Sequence, residues 1–66
     1  MKKVDKMTKA EMLYAIRNSR ACDRKWYEHV MREFGGETNF LRHYTRVEIE
    51  DMYNEMLAAE RDMWEA

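Results

Sequence analysis

Three arginines in the first half of the sequence could bind phosphate groups. Arg17, Arg20 and Arg24 follow the i, i+3, i+7 spacing that places side chains on one flank of an α-helix. Guanidinium groups suit phosphate oxygens and stack on bases, so the spacing predicts contact with nucleic acid. The other interpretation is a solvated face that forms ion pairs with acidic residues of the same chain. The nucleic-acid hypothesis assigns the contact to six residues: Arg17, Arg20, Arg24, Lys25, Arg42 and Arg46.

Two carboxylates fall within otherwise apolar helix stripes, at Asp23 and Glu60. Paired carboxylates in a helical bundle can transfer protons or bind metal ions, but di-metal bundles also use a Glu-x-x-His pattern. Neither His29 nor His43 has a glutamate three residues before it, and we predict no metal site. Because burying an unpaired carboxylate costs several kcal/mol, we expect Asp23 to cap a helix break or form an ion pair. For the same reason we expect Glu60 to pair with Arg20.

The single cysteine, Cys22, could act as a nucleophile beside a histidine. The sequence supplies no orienting acid and no oxyanion site at a readable spacing, and it predicts neither catalysis nor a cofactor. The pair Gly35-Gly36 lacks the preceding strand and the spacing of a phosphate-binding loop. One cysteine cannot form an intramolecular disulfide, which favours a reducing compartment.

Charge is unevenly distributed along the chain, although the formal net charge is −1. Residues 1–46 carry eleven Lys or Arg against six Asp or Glu, and residues 47–66 carry one against seven. This asymmetry predicts either a basic helix packed beside an acidic one or partners recognised by charge. No apolar run reaches the length of a signal peptide or a membrane span, so we expect a cytoplasmic protein without membrane contact.

Two capping boxes predict where the helices that carry these residues begin. In a capping box, a threonine and a glutamate three positions later each accept a hydrogen bond from the backbone N–H of the other. Two pairs have this spacing: Thr8 with Glu11, and Thr45 with Glu48. An apolar residue precedes each threonine and another follows four positions later, which is the pattern of a hydrophobic staple. The sequence therefore predicts one helix that begins at Thr8 and a second that begins at Thr45.

The first helix is predicted to extend to Phe34, because Gly35 is a natural left-handed C-cap. Ser19 and Asp23 interrupt its apolar stripe, and the segment 18–23 contains four mediocre helix formers: Asn18, Ser19, Cys22 and Asp23. A break that would divide this helix in two is therefore the alternative. Residues 35–38 are expected to form a loop. Thr38 or Asn39 could then cap a single turn whose apolar residues, including Phe40, close the open end of a helical hairpin.

The predicted fold is all-α: one domain over residues 1–66, with residues 1–7 frayed, built as a hairpin of two long helices. A chain of 66 residues encloses only a marginal core by itself, and the stripes on both helices predict a homodimer that forms a helical bundle. The predicted dimer interface comprises Ile16, Trp26, Val30, Met52, Met56 and Met63.

These observations favour a small non-enzymatic regulatory module that contacts RNA or a nucleoprotein through the arginine flank. The alternative is a regulator or inhibitor, of the type encoded by phages and mobile elements, that docks on a host or partner protein. It would use the acidic face of residues 48–65 or the Met-rich stripe of the second helix.

Overall fold

A computed structural model describes residues 3–65 of the chain. These residues form four α-helices after a short 3-10 turn and contain no strand, which confirms the all-α class. The first of the two predicted helices is divided, and the interhelix segment contains a helix of its own. The elements are a 3-10 turn (Val4–Lys6), α1 (Lys9–Arg17), α2 (Arg24–Phe34), α3 (Glu37–His43) and α4 (Arg46–Glu65).

The core forms where α1 packs against α4, and where α2 packs against α3 beside them. Both capping boxes are present: Thr8 with Glu11 at α1, and Thr45 with Glu48 at α4. They orient the first turns so that the apolar stripes of α1 and α4 face each other. The buried core residues are Met12, Leu13, Ile16, Tyr27, Phe40, Ile49, Tyr53 and Met56.

The predicted alternative of a broken first helix is the one that forms, and the continuous helix from Thr8 to Phe34 does not. α1 ends at Arg17, and α2 begins after Asp23. The Asp23 carboxylate accepts hydrogen bonds from the backbone N–H of Lys25 at 2.9 Å and of Trp26 at 3.4 Å. This confirms the expected role of Asp23 as a cap, since it satisfies two N–H groups that a new helix leaves unpaired.

The segment between Gly35 and Thr38 differs from the predicted loop. Gly35 is the left-handed C-cap of α2, with φ 79°, as expected. α3 nevertheless begins at Glu37, its N-cap is Gly36, and no side chain caps it, so the predicted caps Thr38 and Asn39 are wrong. The expected burial of Phe40 is confirmed, because its side chain is 1% exposed and packs edge-on against the ring of Phe34.

Two basic side chains tie the start of the chain to the junction of α3 and α4. The Lys9 ammonium donates to the carbonyl oxygens of Leu41 (2.8 Å) and Tyr44 (2.7 Å), where α3 leaves carbonyls unpaired. Arg46 donates to the carbonyl oxygens of Met7 and Val4. Residues 4–7, where the sequence predicts fraying, are therefore held against the core; residues 1 and 2 lie outside the described residues.

Candidate functional site

The three arginines of the predicted phosphate-binding flank lie on different elements. Arg17 is the last residue of α1, Arg20 lies in the turn, and Arg24 is the first residue of α2. The i, i+3, i+7 spacing aligns side chains only along an unbroken helix, and the chain leaves the helix between residues 18 and 23. The single helical flank that the spacing predicts is therefore not formed.

Arg17 and Arg24 do line one surface cavity of about 320 Å³, together with Tyr27 and Glu37. Arg17 Nη1 lies 3.9 Å from Glu37 Oε1, and the Tyr27 hydroxyl donates to Glu37 Oε2 at 2.8 Å. Burial, and then the hydrogen bond to Glu37, raise the pKa of Tyr27, so this phenol remains a donor across the ordinary pH range. The carboxylate of Glu37 reduces the positive charge that this cavity could offer to a phosphate.

Arg20 does not form the expected ion pair with Glu60. Among the ion pairs of residues 3–65 within 4.0 Å, none joins these two side chains. The Arg20 guanidinium carbon instead lies 5.5 Å from the centroid of the Trp64 ring, in cation–π geometry. Both residues line a surface cavity of about 210 Å³ with Glu60 and Met63.

The remaining members of the predicted basic set are separated from one another. Lys25 and Arg42 are exposed, on α2 and α3 respectively. Arg46 is half-buried, because it binds backbone carbonyls and pairs with Glu50 at 2.9 Å. Its guanidinium is thus engaged within the chain.

The residues predicted for a dimer interface divide into buried and exposed groups. Ile16 and Met56 are 5% and 8% exposed and belong to the core of a single chain. Val30 and Met52 are partly buried against that core. Trp26 and Met63 remain 46% and 54% exposed.

An exposed apolar surface lies at the end of α4, and we call Met63 and Trp64, which line one cavity together, the end patch. Trp64 is 77% exposed, the largest value among the exposed large apolar side chains of the described chain. Helical spacing alone places Trp64 on the same apolar stripe of α4 as the buried Met56, and it does not indicate that Trp64 is uncovered. The signal that it missed is the length of α4 relative to α1, which can be read only after the break at residue 18 is known.

A separate groove, bordered by Trp26, reaches the core residues Ile16 and Met56. Its volume is about 330 Å³. Burial raises the pKa of the Cys22 thiol at its edge, which keeps that side chain a neutral thiol near neutral pH. The groove is lined by Ile16, Ala21, Cys22, Asp23, Trp26, Met52, Glu55, Met56 and Ala59.

Within residues 3–65, no group of three or more His, Cys, Asp or Glu side chains is arranged to hold a metal ion. None of the described helices is both long and apolar enough to cross a membrane. No protein-family model, curated protein or solved structure matches the chain.

Proposed function

We propose that this protein is a small non-enzymatic docking module that binds a partner protein through the end patch. The single observation that carries the proposal is the unequal length of the two helices that form the core. At 1.5 Å per residue, the nine residues of α1 span about 13 Å and the twenty of α4 about 30 Å. α1 is therefore too short to cover the whole apolar stripe of α4.

The exposure of that stripe rises where α1 ends. Met56 is 8% exposed, whereas Met63, two helical turns later on the same face, is 54% exposed. Trp64 follows at 77%, and the Arg20 guanidinium lies over its ring. Tryptophan and methionine are enriched at protein interfaces, and tryptophan is prominent among the residues that contribute most binding energy.

The homodimer predicted from the sequence would share Met63 with the end patch. Trp26 and Met63 are available for it, whereas Ile16 and Met56 already pack within one chain. Sedimentation equilibrium over micromolar concentrations distinguishes a second copy from a different protein as the occupant.

A second candidate is the predicted contact with RNA or a nucleoprotein. Its support is that Arg17, Arg24 and Lys25 are exposed near one another, around the start of α2. Such binding would be salt-sensitive and weakly specific, because phosphate contacts dominate it.

The test is capture of partners from native lysate on the immobilised chain, with and without nuclease. Trp64→Ala should weaken the capture by about 2 kcal/mol or more, roughly thirtyfold in Kd. Tyr14→Ala is the matched control, because Tyr14 is an aromatic residue on α1 that is 65% exposed. Capture that nuclease abolishes, and that Arg17→Ala with Arg24→Ala weakens while Trp64→Ala does not, would replace docking by nucleic-acid binding.

A further inference from the structure

One wall of the groove is a face of α4 with helical periodicity. Met52, Glu55, Met56 and Ala59 occupy positions i, i+3, i+4 and i+7 of that helix and line the groove together. Seven residues correspond to a length of about 10 Å. A second helix laid along this wall would meet it with side chains at the same spacing, as in recognition of a helix in a groove.

The opposite wall is built from the turn between α1 and α2. Ala21 and Cys22 are small, and Ala59 faces the groove from α4, so a backbone can approach closely here. Trp26 borders the groove and is 46% exposed, which leaves half of its ring surface for an incoming apolar side chain. Met52 is partly buried, and its flexible thioether can adapt to the shape of that side chain.

The charged residues that line the groove are acidic. Two carboxylates line it, Asp23 and Glu55, and none of its described lining residues carries a positive charge. Glu60 extends the negative side toward the end of α4, where it borders the adjacent cavity. Two cations lie outside this lining: Arg24, which follows Asp23 and acts electrostatically on Cys22, and Arg20, which lies over the Trp64 ring.

From this combination we infer that the groove binds an amphipathic α-helix whose polar edges carry Lys or Arg. The apolar side chains of that helix would contact Trp26, Met52 and Met56, and its cations would face Asp23 and Glu55. This inference rests on the proposed docking function and specifies the partner: a basic helix, and not a second copy of this chain. A second copy that met this groove with its own groove would oppose the same two carboxylates, and a dimer of any other geometry is an outcome of the test below.

The experiment uses two synthetic amphipathic helices of about four turns, roughly 14 residues each. Both carry the same leucine face; one has lysine and the other glutamate on its polar positions. Titration into the full chain is followed by tryptophan fluorescence and by protection of Cys22 from alkylation. We expect the lysine peptide to bind about tenfold more tightly at low salt, and the difference to shrink as salt rises.

Matched charge reversals locate the contact. Glu55→Lys should remove most of the preference for the lysine peptide, whereas Glu33→Lys, which makes the same charge change at the exposed far end of α2, should retain it. Both positions are exposed, so both variants are expected to fold, which circular dichroism checks.

Three results would overturn the inference: equal binding of the two peptides, binding of neither, or a dimer that Glu55→Lys strengthens. Capture of a lysate protein that Trp64→Ala abolishes would still support the docking function in each of the first two cases. Failure of the basic-helix inference is thus distinguishable from failure of the proposed function.

Discussion

Replacing Lys9 with methionine should destabilise the fold, because the Lys9 ammonium bonds two backbone carbonyl groups at the end of another helix. The Lys9 ammonium donates to the carbonyl oxygens of Leu41 and Tyr44 at 2.8 Å and 2.7 Å, and both bonds are partly buried. Methionine has a similar length and helix propensity, so the substitution leaves α1 itself intact. It removes the two bonds that hold α1 against the end of α3.

The expected loss is about 2 kcal/mol. A hydrogen bond to a charged group contributes about 1.5–3 kcal/mol, and water can replace part of it at these half-buried carbonyls. A chain of this length has a free energy of unfolding of roughly 3–10 kcal/mol, so the loss is a large fraction of the total. The corresponding decrease in Tm is about 10 °C.

Urea unfolding followed by circular dichroism measures this loss, with Lys25→Met as the control. Lys25 is exposed in the first turn of α2, so removing its charge should change the free energy of unfolding by less than about 0.5 kcal/mol. If Lys9→Met and Lys25→Met have the same urea midpoint and slope, the tie between α1 and α3 does not contribute to stability and the reasoning is refuted.

Substitutions at three further positions test the helix ends. Asp23→Ala should cost about 1 kcal/mol in urea unfolding and Asp23→Asn much less, because asparagine caps equally well; equal losses would count against the cap. The hydrogen bond that the Thr45 N–H donates to the Glu48 carboxylate lowers the pKa of Glu48. This bond therefore stabilises the fold fully above pH 4.5, the ordinary pKa, and the stabilisation is lost as the pH falls through the lowered pKa. Glu48→Gln should reduce the dependence of the free energy of unfolding on pH in this acidic range. Gly35→Ala should cost about 1–2 kcal/mol in thermal unfolding, since φ is 79° and the new Cβ would lie 3.2 Å from Asn39 Nδ2; an unchanged Tm would contradict that strain.

The starts of α1 and α4 and the end of α2 were readable from the sequence, because each depends on residues within four positions of one another. Thr8 and Glu11 form their capping box, Thr45 and Glu48 form theirs, and Gly35 adopts the left-handed conformation. A capping side chain reaches only the first turn of its own helix, so no distant residue is needed to predict it. The hydrogen bonds that Asp23 accepts are also local, since they come from the first turn of α2, although the sequence left open whether the helix breaks there.

The start of α3 could not be read in this way. No side chain caps it, and Gly36 precedes it with a φ of 120°. Its position is set by Phe40, which is 1% exposed and packs against Phe34 and Tyr44 at centroid distances of 5.4 and 4.7 Å. Burial of that ring fixes where the helix lies, and this outweighs the cap that Thr38 or Asn39 would supply.

The contacts of the candidate-site residues could be predicted from the sequence less well than the helix ends, because they join distant parts of the chain. Arg46 and Lys9 each bind carbonyl groups more than thirty residues away along the chain, and no local pattern distinguishes such a cation from a solvated one. Arg20 lies over Trp64 because the turn brings the two together. The sequence determined which face of each helix is apolar; the tertiary structure decided how much of the α4 face is covered, because coverage depends on where the facing helix ends.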